Sequence, residues 1–190
     1  MKRKVFLIFI SIVMCSYSLC SCTKKEEDLS LPDGMLLGQS DAGDYKFQYP
    51  ETWDTIRQDG MFAIKSKTSS SVISASCYTL KKDSFSDAEK YIYGENENAG
   101  YLSVIEQTFG KDYTLTSVDD ITIDRIPSKS VKYHIKTGDD EYDVDTVLVF
   151  RTSESDGETT LYSLTFTALS ENYKEDASVF KTVTDSFVFD

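Results

Sequence analysis

The sequence predicts an α+β domain in which an antiparallel sheet of about seven strands is flanked by helices on both faces. One observation is a series of short runs in which apolar and polar residues alternate, as they do in half-buried strands. A second is two helical regions whose apolar residues recur every three or four positions. A third is a pair of strands near the carboxyl end that is apolar on both faces, so both faces must be covered.

The first predicted strands follow one another closely. Three aromatic residues alternate with polar ones between residues 45 and 49, and Pro50 ends that run. Two more strands are predicted at 61–65 and 72–80, separated by a turn rich in serine. After the first helical region, strands are expected again at 113–118 and 121–126.

Both helical regions begin with a capping sequence. Ser86-Asp-Ala-Glu89 has the spacing of a capping box, and the helical pattern behind it is interrupted at Gly94 and stopped by Gly110. Asn172-x-x-Glu175 caps a terminal helix. One side of that helix is apolar and consists of Tyr173, Ala177, Phe180, Val183 and Phe187.

Two hairpins complete the sheet. The first turns at Gly138-Asp139, a favourable two-residue turn. That turn places Lys132, His134 and Lys136 opposite Asp145, Asp143 and Glu141, respectively.

The second hairpin turns at Asp156-Gly157 and carries the strands that are apolar on both faces. Its turn predicts that Val149 lies opposite Leu164 and Val147 opposite Phe166. The other face of the same two strands carries Leu148, Phe150, Leu161 and Leu169. The two helical regions are available to cover the two faces.

Short motifs at both ends of this region resemble the PsbP-like family. Tyr45-Lys-Phe-Gln-Tyr-Pro-Glu-Thr-Trp53 is similar to the opening of such domains, and Leu161-Tyr-x-Leu-Thr165 and Asp185-Ser-Phe187 are similar to their end. The resemblance covers residues 44–188. It implies an α/β/α sandwich like those of the PsbP protein of photosystem II and the Ran-binding Mog protein, and a role in binding or assembly. No photosystem-specific or Ran-binding residue set is present, so neither role is carried over.

The chain is predicted to have three parts: a lipoprotein signal peptide at 1–21, a flexible tether at 22–43 and one PsbP-like globular domain at 44–190. The basic start is followed by about ten apolar residues, too few for a membrane span, which needs about 20. The polar, turn-rich composition after the signal is typical of a linker.

Leu19-Cys20-Ser21-Cys22 resembles the bacterial lipobox, with leucine three positions before the cysteine that receives the lipid. Cys22 is therefore the predicted site of diacylglyceryl and acyl (palmitate) attachment. The alternative is an ordinary secreted protein in which Cys22 remains a free thiol. If the signal peptide is removed and Cys22 carries the lipid, Cys77 is the one free cysteine that remains of the four. Its position on a strand favours a small buried thiol.

The charge balance excludes some partners. The chain has 20 basic and 32 acidic residues, and removal of residues 1–21 would take three basic and no acidic ones, leaving 17 against 32, a formal charge of −15. So acidic a protein repels nucleic acid, and we expect its membrane contact to come from the lipid on Cys22.

Candidate sites have simpler structural explanations. His134, the only histidine, is the candidate general base. Its neighbours and cross-strand partners, however, form a ladder of charged pairs that explains these residues without catalysis. The acids at 139–145 do not match a calcium loop, and turn chemistry accounts for the acids around the second hairpin, Glu154, Asp156 and Glu158. Trp53 is expected to close one end of the core; the alternative is the floor of a binding groove with Tyr45 or Tyr49.

These observations predict no catalytic residue, cofactor or metal site. The expected function is that of a lipid-anchored, extracytoplasmic binding or assembly module that acts through contacts with an unidentified protein. Its expected location is the outer face of the cell membrane, or the outer membrane in a Gram-negative host. The alternatives are a cell-envelope hydrolase with an unrecognised site and a ligand- or solute-binding lipoprotein.

Overall fold

A computed structural model describes residues 31–39, 44–58, 61–80, 85, 87–95, 98–153 and 157–189. The predicted signal peptide, Cys22, most of the predicted tether, Ser86, Glu154 and Asp156 lie outside these residues. Among the described residues, no helix is both long enough and apolar enough to cross a membrane.

Strands account for most of the described chain, and three helices interrupt them. In chain order the elements are β1 (Met35–Gln39), β2 (Tyr45–Pro50), β3 (Trp53–Gln58), β4 (Met61–Ser66), β5 (Val72–Thr79), α1 (Ala88–Tyr93), β6 (Gly94–Glu95), β7 (Asn98–Ala99), α2 (Tyr101–Phe109), a 3-10 turn (Gly110–Asp112), β8 (Tyr113–Ile123), β9 (Ile126–Thr137), β10 (Asp140–Thr152), β11 (Thr159–Leu169), α3 (Tyr173–Ser186) and β12 (Val188–Phe189).

Seven strands form one antiparallel sheet in the order β3-β4-β5-β11-β10-β9-β8, which confirms the predicted fold class. A second sheet, which we call the small sheet, has the order β1-β2-β12. Strands β6 and β7 form a short hairpin between α1 and α2.

Each face of the large sheet has its own hydrophobic core. The first core lies between the large sheet and both α3 and the small sheet, and its largest fully buried side chains include Tyr45, Phe47, Phe166 and Phe187. The second core lies beneath α1 and α2 and includes Ile92, Ile105, Tyr133, Ile135, Leu148 and Leu161. Alternation along β10 and β11 supplies both cores, as the apolar pattern predicted.

The predicted tether is wrong for Met35–Gln39, because these residues form β1 and pair with β2 along its whole length. Gly38 allows β1 to lie close to the aromatic rings of the first core. A Cβ atom at this position would lie 2.7 Å from the ring of Phe47 and 2.9 Å from that of Phe62. Glycine therefore lets the first strand pack directly on the aromatic core.

The strands differ from the prediction at three places. The strand predicted at 121–126 is wrong, because β8 runs unbroken to Ile123 and a turn follows at Asp124 and Arg125, both with positive φ. Strand β3 was not predicted. The register of the last hairpin is shifted by two residues, so Val149 lies opposite Tyr162 and Val147 opposite Leu164. A shift of two preserves the faces, which is why the two cores were still predicted correctly.

The helix ends agree with the sequence in part. Helix α1 is capped by Asp87, whose side chain accepts a hydrogen bond from the Lys90 backbone N–H over 2.9 Å, so the capping box that began at Ser86 is wrong. Gly94 and Gly110 end α1 and α2 as predicted. Asn172 occupies the predicted cap position of α3, although its side chain makes no capping hydrogen bond.

Candidate functional site

A row of polar side chains lies on β9 and β10 at the side of the large sheet that faces α3. Alternation directs Tyr133 and Ile135 of β9 into the second core, so the residues between them point toward α3. We call this row the polar strip. It consists of Ser128, Ser130, Lys132, His134 and Lys136 of β9 and Glu141, Asp143 and Asp145 of β10.

The cross-strand pairs of the strip are those predicted from the Gly138-Asp139 turn. The distances are 3.5 Å between Lys136 Nζ and Glu141 Oε1, 3.2 Å between His134 Nδ1 and Asp143 Oδ1, and 3.7 Å between Lys132 Nζ and Asp145 Oδ2. The first pair is exposed, whereas the Asp145 side chain is only 11% exposed. The strip thus runs from solvent at the hairpin turn to buried groups at the middle of the sheet.

Asp145 is the most buried acid of the strip. The Ser130 hydroxyl donates a hydrogen bond to its Oδ1 over 2.7 Å, and Lys132 faces its other oxygen. Burial raises the pKa of the Asp145 carboxyl above its usual range, and the hydrogen bond from Ser130 and the charge of Lys132 only partly oppose that rise. Prediction from sequence included the Lys132 pair but missed both the burial and Ser130.

Tyr173, the first residue of α3, lies at the boundary between the strip and the first core. Its ring packs on Phe166 with 5.3 Å between the ring centroids. Burial, followed by the nearby carboxylates of Asp145 and Asp143, raises the pKa of Tyr173 to about 12. The phenol is therefore protonated at physiological pH and remains a hydrogen-bonding group beside the strip.

The opposite edge of the strip is formed by β8. Ser117 donates a hydrogen bond to Asp119 Oδ2 over 2.8 Å, and Asp119 also contributes to the raised pKa of Asp145. Asp119 lies opposite Ser130 in the sheet register. The strip therefore has α3 on one side and an exposed acidic strand on the other.

The buried groups of the strip bond to one another. Ser130 is 4% exposed and its proton is directed to Asp145, so its hydroxyl is not presented to an external substrate. In the part of the chain that the structure describes, no group of three His, Cys, Asp or Glu side chains is placed to hold a metal ion. What the strip offers is a row of donors and acceptors held in a fixed order by the sheet.

The other residues considered from the sequence lie elsewhere. Trp53 is 4% exposed and belongs to the first core together with Tyr45 and Tyr49, so its assignment to the core is confirmed. Cys77 is half-buried near Asp44, and burial followed by the Asp44 charge raises the pKa of its thiol to about 12. A thiol that stays protonated is a poor nucleophile. Asp139 lies in the exposed hairpin turn.

A second polar arrangement was missed entirely. On the α2 side of the large sheet, the Tyr101 hydroxyl lies 3.3 Å from that of Tyr133 and donates to Thr146 Oγ1 over 3.2 Å. Thr146 in turn lies 3.3 Å from the hydroxyl of Thr165. The available signal was Thr146 itself, a polar residue at a fully buried position within an apolar strand.

Comparisons with known proteins show a fold but no family. No family model matches the sequence, and no curated protein matches it either. Solved structures do match. LpqN of Mycobacterium tuberculosis, which is involved in cell envelope biogenesis, has a TM-score of 0.61 at 12% sequence identity, over 83% of this chain and 92% of LpqN.

Two further structures have a similar fold. The cyanobacterial PsbP protein CyanoP of Synechocystis has a TM-score of 0.57 at 14% identity, over 90% of this chain and 99% of CyanoP. The Ran-binding protein Mog1p of Saccharomyces cerevisiae has a TM-score of 0.51 at 7% identity, over 81% of this chain and 94% of Mog1p. These likenesses show that the chain has the PsbP/Mog-type fold, in agreement with the fold that the sequence motifs implied.

Proposed function

We propose that this protein is a lipid-anchored, extracytoplasmic module that binds a protein partner, and that the polar strip is its contact surface. The proposed role is binding and assembly, not catalysis. The observation that carries the proposal is the buried carboxylate of Asp145, held by Ser130 and Lys132.

A buried charge is an expensive feature at this position. Taking a carboxylate out of water costs free energy that a single ion pair seldom restores, and apolar residues of similar size often serve a core as well or better. Ionisable groups with perturbed pKa values are enriched at functional sites. Asp145 continues into a row of charged pairs that reaches solvent, so a partner that covers the row would meet groups already fixed in place.

The extracytoplasmic location is supported by the amino-terminal sequence. A short basic segment, an apolar run and Leu19-Cys20-Ser21-Cys22 precede the described domain. LpqN, which has a similar fold, is involved in cell envelope biogenesis. A lipid on Cys22 would place the domain at the outer face of the membrane, where assembly partners of the envelope are found.

The experiment is crosslinking in cells followed by purification from native membranes. The full-length protein is compared with three variants: Cys22→Ala, which removes the anchor; Lys136→Glu, which reverses an exposed charge of the strip; and Lys181→Glu, an exposed charge on α3 outside the strip. We expect one dominant partner that Lys181→Glu retains and that both other variants lose.

The variants separate the parts of the proposal. Equal capture by Lys136→Glu and wild type would exclude the strip as the contact surface, while equal capture by Cys22→Ala would exclude a role for the anchor. No enriched protein with any of the four would argue against a protein-binding role altogether.

A further inference from the structure

We infer that the outer face of the small sheet lies against the phospholipid bilayer; this inference rests on the proposed anchoring through Cys22. Strand β2 turns Tyr45, Phe47 and Tyr49 toward the first core, so the residues between them point away from the domain. The register of β1 and β12 then identifies the outer face as Met35, Leu37, Gln39, Lys46, Gln48, Pro50 and Val188.

The chemistry of this face suits an interfacial contact. Leu37, opposite Gln48 on this face, is 37% exposed. Met35 and Val188 are half-exposed on the same sheet. Of the described side chains that point outward from the small sheet, one is a lysine and none is a carboxylate. In a chain with 32 acidic residues, a face without an outward carboxylate among its described residues avoids repulsion by anionic lipid headgroups.

The length of the amino-terminal segment leaves little choice of orientation. The described chain begins at Leu31 and enters β1 through a turn in which the Met35 N–H donates to the Pro32 carbonyl over 3.1 Å. Only eight residues lie between Cys22 and Leu31, and the nine Cα–Cα steps from Cys22 to Leu31 span at most about 32 Å even when fully extended.

A domain of this size is roughly 40 Å across, so half its circumference is roughly 60 Å. The segment is therefore too short to pass around the domain and bring the α2 side to the bilayer. The small sheet, where the segment enters, must stay near the lipid. Because the anchor holds it there at high effective concentration, even a weak apolar contact is enough to orient the domain.

The test uses the full-length lipidated protein in vesicles of phosphatidylethanolamine with a minor fraction of phosphatidylglycerol. A fluorophore is attached either at Gln48→Cys, on the outer face of the small sheet, or at Gln107→Cys, on the exposed side of α2, each in a Cys77→Ser background. Nitroxide-bearing lipids then quench a fluorophore that approaches the bilayer. We expect several-fold stronger quenching at position 48 than at position 107.

A second sample tests the exposed leucine of this face directly. Leu37→Glu should remove most of the quenching at position 48 without unfolding the domain, which circular dichroism would verify. Equal quenching at both positions in vesicle-bound protein would overturn the inference and leave the anchor intact. Protein that fails to float with the vesicles would instead overturn the anchoring, and this inference with it.

Discussion

The hydroxyl of Ser130 donates a hydrogen bond to the carboxylate of Asp145, with 2.7 Å between Ser130 Oγ and Asp145 Oδ1. Both residues are less than 10% exposed, and they lie on adjacent strands of the large sheet. The Asp145 carboxylate is therefore largely desolvated, and its partners are one neutral hydroxyl and one lysine. The energetic consequences of that arrangement can be measured.

The first prediction concerns the pH dependence of stability. The pKa of Asp145 is raised from its ordinary value of 3.8, chiefly by burial, so the folded state binds this proton more tightly than the unfolded state. Between 3.8 and the folded pKa the folded state holds more protons, and the contribution of Asp145 to stability falls as the pH rises through that window. Asp145→Asn remains neutral and lacks this dependence.

We therefore expect the free energy of unfolding of the wild type, relative to Asp145→Asn, to decrease from below pH 3.8 toward neutrality. Urea unfolding of both proteins at several pH values measures it. Asp139→Asn, in the exposed hairpin turn, is the matched control for loss of a carboxylate. A wild type that gains stability relative to Asp145→Asn as the pH rises would contradict the prediction.

The second prediction concerns Ser130. Ser130→Ala removes a hydrogen bond to a charged, buried acceptor, and such bonds contribute about 1.5–3 kcal/mol. Ser128→Ala is a close control, since Ser128 is also 4% exposed but donates to the neutral carbonyl of Ile126 over 2.9 Å. Denaturant unfolding at neutral pH should show a larger loss for Ser130→Ala. Equal losses would mean that the charge of Asp145 adds nothing to the bond.

The third prediction follows from the packing of β1. Gly38→Ala places a methyl group 2.7 Å from the Phe47 ring and 2.9 Å from the Phe62 ring, and overpacking of this kind costs typically about 1–3 kcal/mol. Thermal unfolding should show a lower midpoint for Gly38→Ala than for Gln39→Ala, the neighbouring control. An unchanged midpoint would show that β1 does not press on the aromatic core.

The fourth prediction concerns the reactivity of Cys77. With a pKa of about 12, the thiolate fraction at neutral pH is about a thousandfold below that of an unperturbed cysteine. Iodoacetamide should therefore modify Cys77 far more slowly than Gln107→Cys in a Cys77→Ser background, as measured by mass spectrometry over time. Comparable rates would contradict the prediction and show that burial does not suppress the Cys77 thiolate.

Sequence patterns predicted the elements whose apolar and polar residues alternate regularly and the turn that has a typical turn sequence. Alternation along β10 and β11 was enough to assign both cores, and the Gly138-Asp139 turn was enough to set the register of the polar strip. The turn between β8 and β9 was missed because it uses Asp124 and Arg125 in left-handed conformations, where glycine or asparagine would have been the usual signal.

The features missed in the candidate site depend on tertiary contacts. Asp145 is buried and lies close enough to Tyr173 of α3 to raise its pKa, and no local pattern in β10 reports that contact. The strand β1 was missed for a similar reason. Its apolar run is short, and its place in the domain depends on the space that Gly38 leaves for Phe47.

The last prediction concerns the hydroxyl network beneath α2. Tyr101 connects helix and sheet, because its hydroxyl reaches both Tyr133 and Thr146. Tyr101→Phe keeps the ring and removes the connection. Thr146 retains the neighbouring hydroxyls of Thr165 and Tyr133, whereas Tyr133, buried in the second core, loses the Tyr101 hydroxyl at 3.3 Å and keeps Thr146.

We expect a loss of about 0.5–1.5 kcal/mol in the free energy of unfolding, the usual net contribution of one neutral hydrogen bond. Tyr93→Phe is the matched control, because Tyr93 is 59% exposed. Tyr101→Phe with Tyr133→Phe should lose less stability than the sum of the two single losses, because the two hydroxyls belong to one network. A double loss equal to that sum would show instead that the hydroxyls stabilise the α2 side independently of one another.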